Sequence, residues 1–442
     1  MEMTLAYRSE ERSPLVHALL AELRLAPGAV DLSIDARDEM LGFLLQAWEG
    51  DRDRALFQYF RSGASIADAM GQVLRWRFED SGRIGGLLDF ASGYGRVTRF
   101  LVREVPPERV WVSDVYAEGV RFQGERFGVH GLVSTVRPED FRCERRFDAI
   151  LVTSLFTHLP AERFVAWLRV LMGLLTPRGV LAFSTHSPAV LPQGVTMPAS
   201  GIVFEERSES GSLDTSDYGS TWVTEAFVRG ALAEAAGAAS LHRIDRGLCN
   251  FQDLYLAVPE PDADFSGLGF QHEPYLFVEG CKLKEEGRRL ALEGWTASLS
   301  GMPREVQAVL DGELRATAAV VGPRTDVAAS LGDERYLHSG WDCSFPLPAA
   351  ISRSSSVLLL RVVDGRGVAH PLQASTLDAA LLGAARLEVE RLETEVARAE
   401  ARSVREVAAL RDRIHAMEAS RFWKMRNAWF GVKRRLGLTD ET

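Results

Sequence analysis

The sequence predicts an α/β protein: a doubly wound sheet preceded by N-terminal helices and followed by a small β-sandwich and a C-terminal coiled-coil helix. Three observations carry that expectation. Short apolar runs alternate with helical stretches from Ile84 to about residue 185. Strand-like runs without a long helical period fill residues 270–372. Apolar residues then recur at heptad spacing, uninterrupted by proline, through residues 377–418.

Taken in order, residues 1–82 read as a helical segment. Residues 36–48 and 52–60 carry apolar side chains three and four apart, with breaks expected near Gly50 and Gly63. Residues 65–78 set Ile66, Met70, Val73 and Leu74 on one face. The alternation occupies residues 83–260. Runs at 86–90, 110–113, 132–136, 147–153 and 180–184 are interleaved with helical stretches at 96–104, 117–127 and 161–175. That spacing builds crossover units and a parallel sheet covered on both faces. Residues 241–245 and 254–258 are close enough to add a final antiparallel pair.

A linker at 259–268 leads to residues 268–374. Runs at 275–278, 289–293, 306–310, 314–321, 344–347 and 357–363 suggest the sandwich, with Asp311-Gly312 as a hairpin turn. In residues 376–420 apolar side chains fall at Val389, Leu392, Val396 and Ala399, then at Val407, Leu410, Ile414 and Met417, with one stutter near Ser403. This is the pattern of a coiled coil, and it predicts a homo-oligomer; a helix packed back on the body is the alternative. Residues 421–442 form a basic, aromatic tail.

Composition removes several classes. The 442 residues, 46% hydrophobic and 25% charged, are globular and exceed one typical domain. Glycine (38) and proline (18) are too few for collagen or a disordered chain. The longest apolar runs are a handful of residues, so no membrane-spanning helix is expected. The first residues, Met1 to Pro14, are polar and mixed in charge, unlike a signal peptide. Cys143, Cys249, Cys281 and Cys343 lie far apart, which gives neither a metal-type pair nor a disulfide framework and suits a reducing cytoplasm. A net charge of -10 argues against nucleic-acid binding. Lysine is rare: only Lys282, Lys284, Lys424 and Lys433, the last two in the tail.

The chemistry concentrates in Leu87-Leu88-Asp89-Phe90-Ala91-Ser92-Gly93-Tyr94-Gly95-Arg96-Val97-Thr98. A buried strand ends in an acid, a glycine turn follows, and a helix begins. Glycines let a ligand approach the backbone, and the helix start offers free N–H groups. The next strand ends at Asp114, placed to bind two ribose hydroxyls. A dinucleotide site would want a third glycine where Thr98 stands, and Asp89 would repel a pyrophosphate. An acid there suits a ligand with a cationic amino-acid end.

These residues resemble the first motif of class I S-adenosylmethionine-dependent methyltransferases, with Ala91 where that family's first glycine is usual. Residues 110–114 resemble its second motif. Arg137-Pro138-Glu139-Asp140-Phe141 falls where its adenine-binding acid lies; residues 147–160 resemble its fourth strand and loop, and residues 175–184 its fifth. The resemblance covers residues 84–258. It implies a Rossmann-like methyltransferase sheet of seven strands with an antiparallel last hairpin. It also implies S-adenosyl-L-methionine as cofactor, held by Asp89, Ala91, Ser92, Gly93, Tyr94, Gly95, Asp114, Glu139, Asp140 and Ser154, with no metal.

Where the acceptor must lose a proton, a base is needed. Candidates follow strands four and five, where open α/β sheets bind ligands: His158, His186 and, in the polar stretch 205–221, Asp217 and Tyr218. Thr157-His158 also fits a plain helix start. Arg61 could clamp a carboxylate or lie on the surface. Trp295 and Trp341 of the sandwich could stack on sugars or fill its core. The sandwich is similar to accessory modules of bacterial surface-polysaccharide enzymes, which points to O-methylation of a sugar or glycan; a small-metabolite methyltransferase and a non-catalytic scaffold are the alternatives. On a helical wheel Phe422, Met425, Trp429, Val432 and Leu436 share a face, broken by Arg426 and Lys433. Basic and aromatic residues on one helix suit an anionic lipid surface, so a cytoplasmic protein touching the inner membrane face through residues 421–436 is expected; an acidic protein surface is the alternative.

Overall fold

The computed structural model describes residues 7–9, 13–207 and 213–436; expectations that touch residues 1–6, 10–12, 208–212 and 437–442, at the two ends and within the polar stretch, lie outside the described residues. Strand β1 (Tyr7–Ser9) pairs antiparallel with β2 (Ser33–Asp35), around helix α1 (Pro14–Glu22). Helices α2 (Glu39–Ala47) and α3 (Arg52–Phe78) follow, each started by an aspartate, Asp38 or Asp51, whose carboxylate accepts first-turn amides. The break near Gly50 is present, with Glu49 and Gly50 at φ of 51° and 84°. The break expected near Gly63 is absent, because α3 runs through it for 27 residues. Gly63 serves close packing instead. A Cβ there would lie 2.2 Å from the carbonyl oxygen of Arg96, so glycine lets α3 lie against that segment.

Next come β3 (Leu87–Phe90), α4 (Thr98–Glu104), β4 (Val110–Asp114), α5 (Ala117–Phe127) and β5 (His130–Val133). They are followed by β6 (Phe147–Val152), α6 (Ala161–Gly173) and β7 (Leu175–Thr185). A two-stranded pair, β8 (Ile202–Glu205) and β9 (Ser220–Val223), precedes α7 (Glu225–Ala236), β10 (Ser240–Leu248) and β11 (Gln252–Val258). Seven of these strands form one sheet in the order β10-β11-β7-β6-β3-β4-β5. The five from β3 to β7 are parallel, while β11 runs antiparallel to both neighbours. The continuous apolar runs mark strands buried on both faces. Leu87, Ala149, Leu151, Val180 and Ala182 face a core shared with α3, α4 and α5. Leu88, Phe90, Ile150, Val152 and Phe183 face a second core under α6 and α7. This is the doubly wound architecture.

The second half holds β12 (Tyr275–Lys284), β13 (Arg289–Ala297), β14 (Glu305–Leu310), β15 (Glu313–Ala319), α8 (Thr325–Leu331), β16 (Gly340–Pro346), β17 (Val357–Val363) and β18 (Ala369–Thr376). A three-stranded sheet, β12-β13-β16, faces a four-stranded one, β15-β14-β17-β18. Between them lie Leu290, Leu292, Val306, Leu310, Trp341, Phe345, Leu358 and Leu360. Asp311 and Gly312, both at positive φ, turn the β14–β15 hairpin as expected. The sequence pattern predicts no strand at 369–376; β18 lies at the sheet edge, where its Pro371 is tolerated. Alternate residues of β17, Val357 and Leu359, point out of the sandwich into the core formed with α1 and α3. Partly buried Arg61 pairs with Glu273 at 2.8 Å, and Arg361 pairs with Glu22.

Helix α9 (Leu377–Ala419) starts on the sandwich, with Leu377 and Ala384 buried, and then leaves it. Leu387, Val389, Leu392, Val396, Val407, Leu410, Ile414 and Met417 are all exposed. Ser420 interrupts the helix at ψ 147° and caps α10 (Arg421–Arg435). Among the described residues, no helix is long and apolar enough to cross a membrane.

Candidate active site

The loop after β3 is held from three sides. Ala91, Gly93 and Gly95 take positive φ values of 58°, 55° and 79°. Ala91 therefore adopts the backbone that a glycine would adopt more easily. Ser92 N donates to Ser113 O (3.1 Å), which ties the loop to β4. Asp114, at the end of β4, accepts from Gly93 N (2.7 Å) and Tyr116 N (3.0 Å). Gln123 on α5 donates to Ser92 Oγ and Gly93 O, each at 2.9 Å. Gly95 faces α5, where a Cβ would lie 2.4 Å from the Phe127 ring.

A cleft of about 390 Å³ opens at the carboxyl ends of β3, β4 and β6, beside the point where the strand order reverses. Of the residues expected from the sequence, Asp89, Ala91, Ser92, Gly93, Tyr94, Asp114, Ser154, His158 and Tyr218 line it, as does Asp217. Four do not. Gly95 packs on α5. Glu139 and Asp140 sit on a short 3₁₀ turn that leaves Asp140 exposed and directs Glu139 to Arg163 at 3.6 Å. His186 lies between Trp222 and Phe251. Arg61 is also elsewhere, in its pair with Glu273.

The electrostatics of the cleft floor centre on Asp89, which is 1% exposed. Burial above all, with the nearby Asp114 carboxylate adding to it, raises its carboxyl to about 7 against the hydrogen bond from Thr98 and the charge of Arg96. The Thr98 hydroxyl has one proton and two close acceptors, Asp89 Oδ2 at 2.6 Å and Gln123 Oε1 at 2.7 Å. A proton on Asp89 resolves that contest, because Gln123 uses its own N–H groups on the loop. Asp89 Oδ1 has no hydrogen-bond partner among the described residues. Burial also raises Asp114, against its backbone N–H bonds.

At the mouth, His158 Nδ1 lies 2.7 Å from Gly219 O and must donate to it, which leaves Nε2 as the acceptor. Burial lowers its pKa below the usual histidine value, so the ring is neutral at pH 7. Tyr218 stacks on it with ring centroids 4.4 Å apart. Asp217 pairs with Arg163 at 3.0 Å. His186 is lowered further, to about 4, by burial and by His158.

Sequence reading missed one wall. Asp38, Met40 and Phe43 come from the N-terminal segment, and Arg96 from the turn itself. Arg96 donates to Ser62 Oγ of α3 at 2.7 Å, so α3 positions this cation. The capping signal at Asp38 was readable; its place over the cleft was not. In the sandwich, Trp341 is buried in the core, whereas Trp295 stacks on half-exposed Phe277 at 4.2 Å.

No protein-family model and no curated protein matches the chain. Among solved structures it is similar to DesVI of Streptomyces venezuelae, at 16% identity and a TM-score of 0.35, over 50% of this chain and 98% of that one. It is similar to the sugar N-methyltransferase KedS8 from Streptoalloteichus at 17% identity and 0.36, over 53% and 98%. CalS10, an amino pentose methyltransferase from Micromonospora echinaspora, gives 16% and 0.35 over 45% and 92%.

Proposed function

We propose that the chain is an S-adenosylmethionine-dependent methyltransferase acting on an oxygen of a sugar or glycan in surface-polysaccharide synthesis. The observation that carries this reading is the unpartnered oxygen of buried Asp89 in a cleft floored by an open glycine turn. A Cβ added at Gly93 would meet nothing within 4 Å, so the backbone is open to a ligand. The residues fit the cofactor. Asp89 suits its ammonium end and Arg96 its carboxylate. Asp114 keeps lone pairs for ribose hydroxyls after accepting two backbone amides. The bound cofactor supplies a methyl group on a sulfonium, which is already a good leaving group. The protein's part is orientation of the acceptor and removal of its proton. His158, neutral and lining the cleft, receives that proton on Nε2, while Gly219 fixes the ring through Nδ1. The polar and aromatic mouth of Asp217, Tyr218 and Phe43 suits a hydroxylated ring. In the same proposal, α10 holds the protein against anionic lipid at the cytoplasmic membrane face.

The test is calorimetric titration with S-adenosylmethionine and S-adenosylhomocysteine, followed by transfer of labelled methyl to sugar acceptors. Binding that is lost in Asp89→Asn and Asp114→Asn supports the reading. Absence of binding to the wild-type chain ends it.

A further inference from the structure

We propose that α9 pairs antiparallel with the α9 of a second copy of this chain, with the twofold axis at Ser403. The inference is independent of the methyltransferase reading. It starts from an apolar stripe, exposed among the described residues, that leaves the body at Leu387 and ends where Ser420 breaks the helix. The free span, residues 387–419, extends sixteen residues to either side of Ser403 and is about 50 Å long at 1.5 Å per residue.

Its apolar spacing has the same centre. From Val389 through Leu392, Val396, Ala399, Ser403, Val407, Leu410 and Ile414 to Met417, the steps are three, four, three, four, then four, three, four, three. The apparent stutter is thus the midpoint of a palindrome. A partner running the other way meets this stripe layer for layer: Val389 against Met417, Leu392 against Ile414, Val396 against Leu410, Ala399 against Val407, and Ser403 against itself.

Charge then selects direction. Beside the stripe, the antiparallel arrangement sets Glu393 against Arg411, Glu395 against Arg413, and Arg402 against Glu406, each pair occurring twice by symmetry. A parallel pair would instead set Glu388 against Glu393 and Glu395 against Glu400, two repulsions that offset its attractions of Glu406 to Arg411 and Arg413 to Glu418, whereas the three antiparallel pairs all attract. Within one helix Arg391 already bridges Glu388 and Glu395 at 2.8 Å, so Glu393–Arg411 is the cleaner pair to test.

The experiment uses the full chain. Light scattering should give the mass of a dimer. Glu393→Arg should raise its dissociation constant about tenfold, since two attractions become two repulsions. Adding Arg411→Glu should restore it. In a parallel dimer Glu393→Arg would tighten association. Under oxidation, Val389→Cys and Met417→Cys should cross-link when both are in one chain, and each alone should cross-link no more than wild type. Circular dichroism checks that each variant is folded. A monomer, a higher oligomer, tighter association in Glu393→Arg, or cross-linking by the single cysteines would overturn the proposal.

Discussion

Asp89 is a carboxyl group whose surroundings oppose its charge, and its position near pH 7 makes it measurable. A cationic ligand end needs the ionised form. Affinity for S-adenosylmethionine should therefore fall as pH drops below about 7, approaching tenfold per unit, with proton release on binding at pH 6. Calorimetry across pH 6–8 checks this, and flat affinity would remove Asp89 from the site. The sign for folding is opposite. The folded carboxyl holds its proton where the unfolded one has lost it, so this group's contribution to stability falls as pH rises from about 4 through 7. At the mouth, His158→Ala should lower kcat by about 10²–10⁴. His186→Ala should leave kcat within a few-fold, because that ring lies off the cleft. Unchanged turnover in His158→Ala would end its assignment as base.

At the scale of elements, Gly63 links a helix to the site. Alanine is the better helix former by about 1 kcal/mol. Here, however, its Cβ would meet the carbonyl oxygen of Arg96, so steric cost decides the sign. Gly63→Ala should lower Tm and weaken cofactor binding, read by calorimetry; a rise in Tm would show that α3 yields without cost. Helix α10 is a second element whose surroundings matter more than its propensity. Met425 and Trp429 are 70% and 60% exposed on a helix with Lys433, Arg434 and Arg435 in its last turn. Deleting residues 420–442 should abolish co-sedimentation of the chain with anionic vesicles. Persistence of binding would assign it to another surface.

For the whole molecule, the sandwich is not a separately tethered module. One face of β17 fills its interior and the other completes the core around α1 and α3. Leu359→Ala should cost about 2–5 kcal/mol. It should lower one joint unfolding transition of sheet and sandwich. Two separate transitions in scanning calorimetry would mean that the shared core does not couple them.

The sequence by itself determined what is periodic and local. Alternating apolar runs marked the seven-stranded sheet, Asp311-Gly312 marked a hairpin, and the glycine turn between Asp89 and Thr98 marked the cleft floor. Burial repeats along a strand or helix with a fixed period, so a one-dimensional pattern records it. Only the tertiary structure decided which segments meet. Asp38 and Phe43 reach the cleft from a segment that read as plain helix. His186 follows a sheet strand yet turns toward Trp222, and Glu139 turns toward Arg163. Gly63 read as a helix breaker because its neighbour Arg96 lies 33 positions away in the chain. Direction and distant proximity come from packing between elements, and no local pattern carries them.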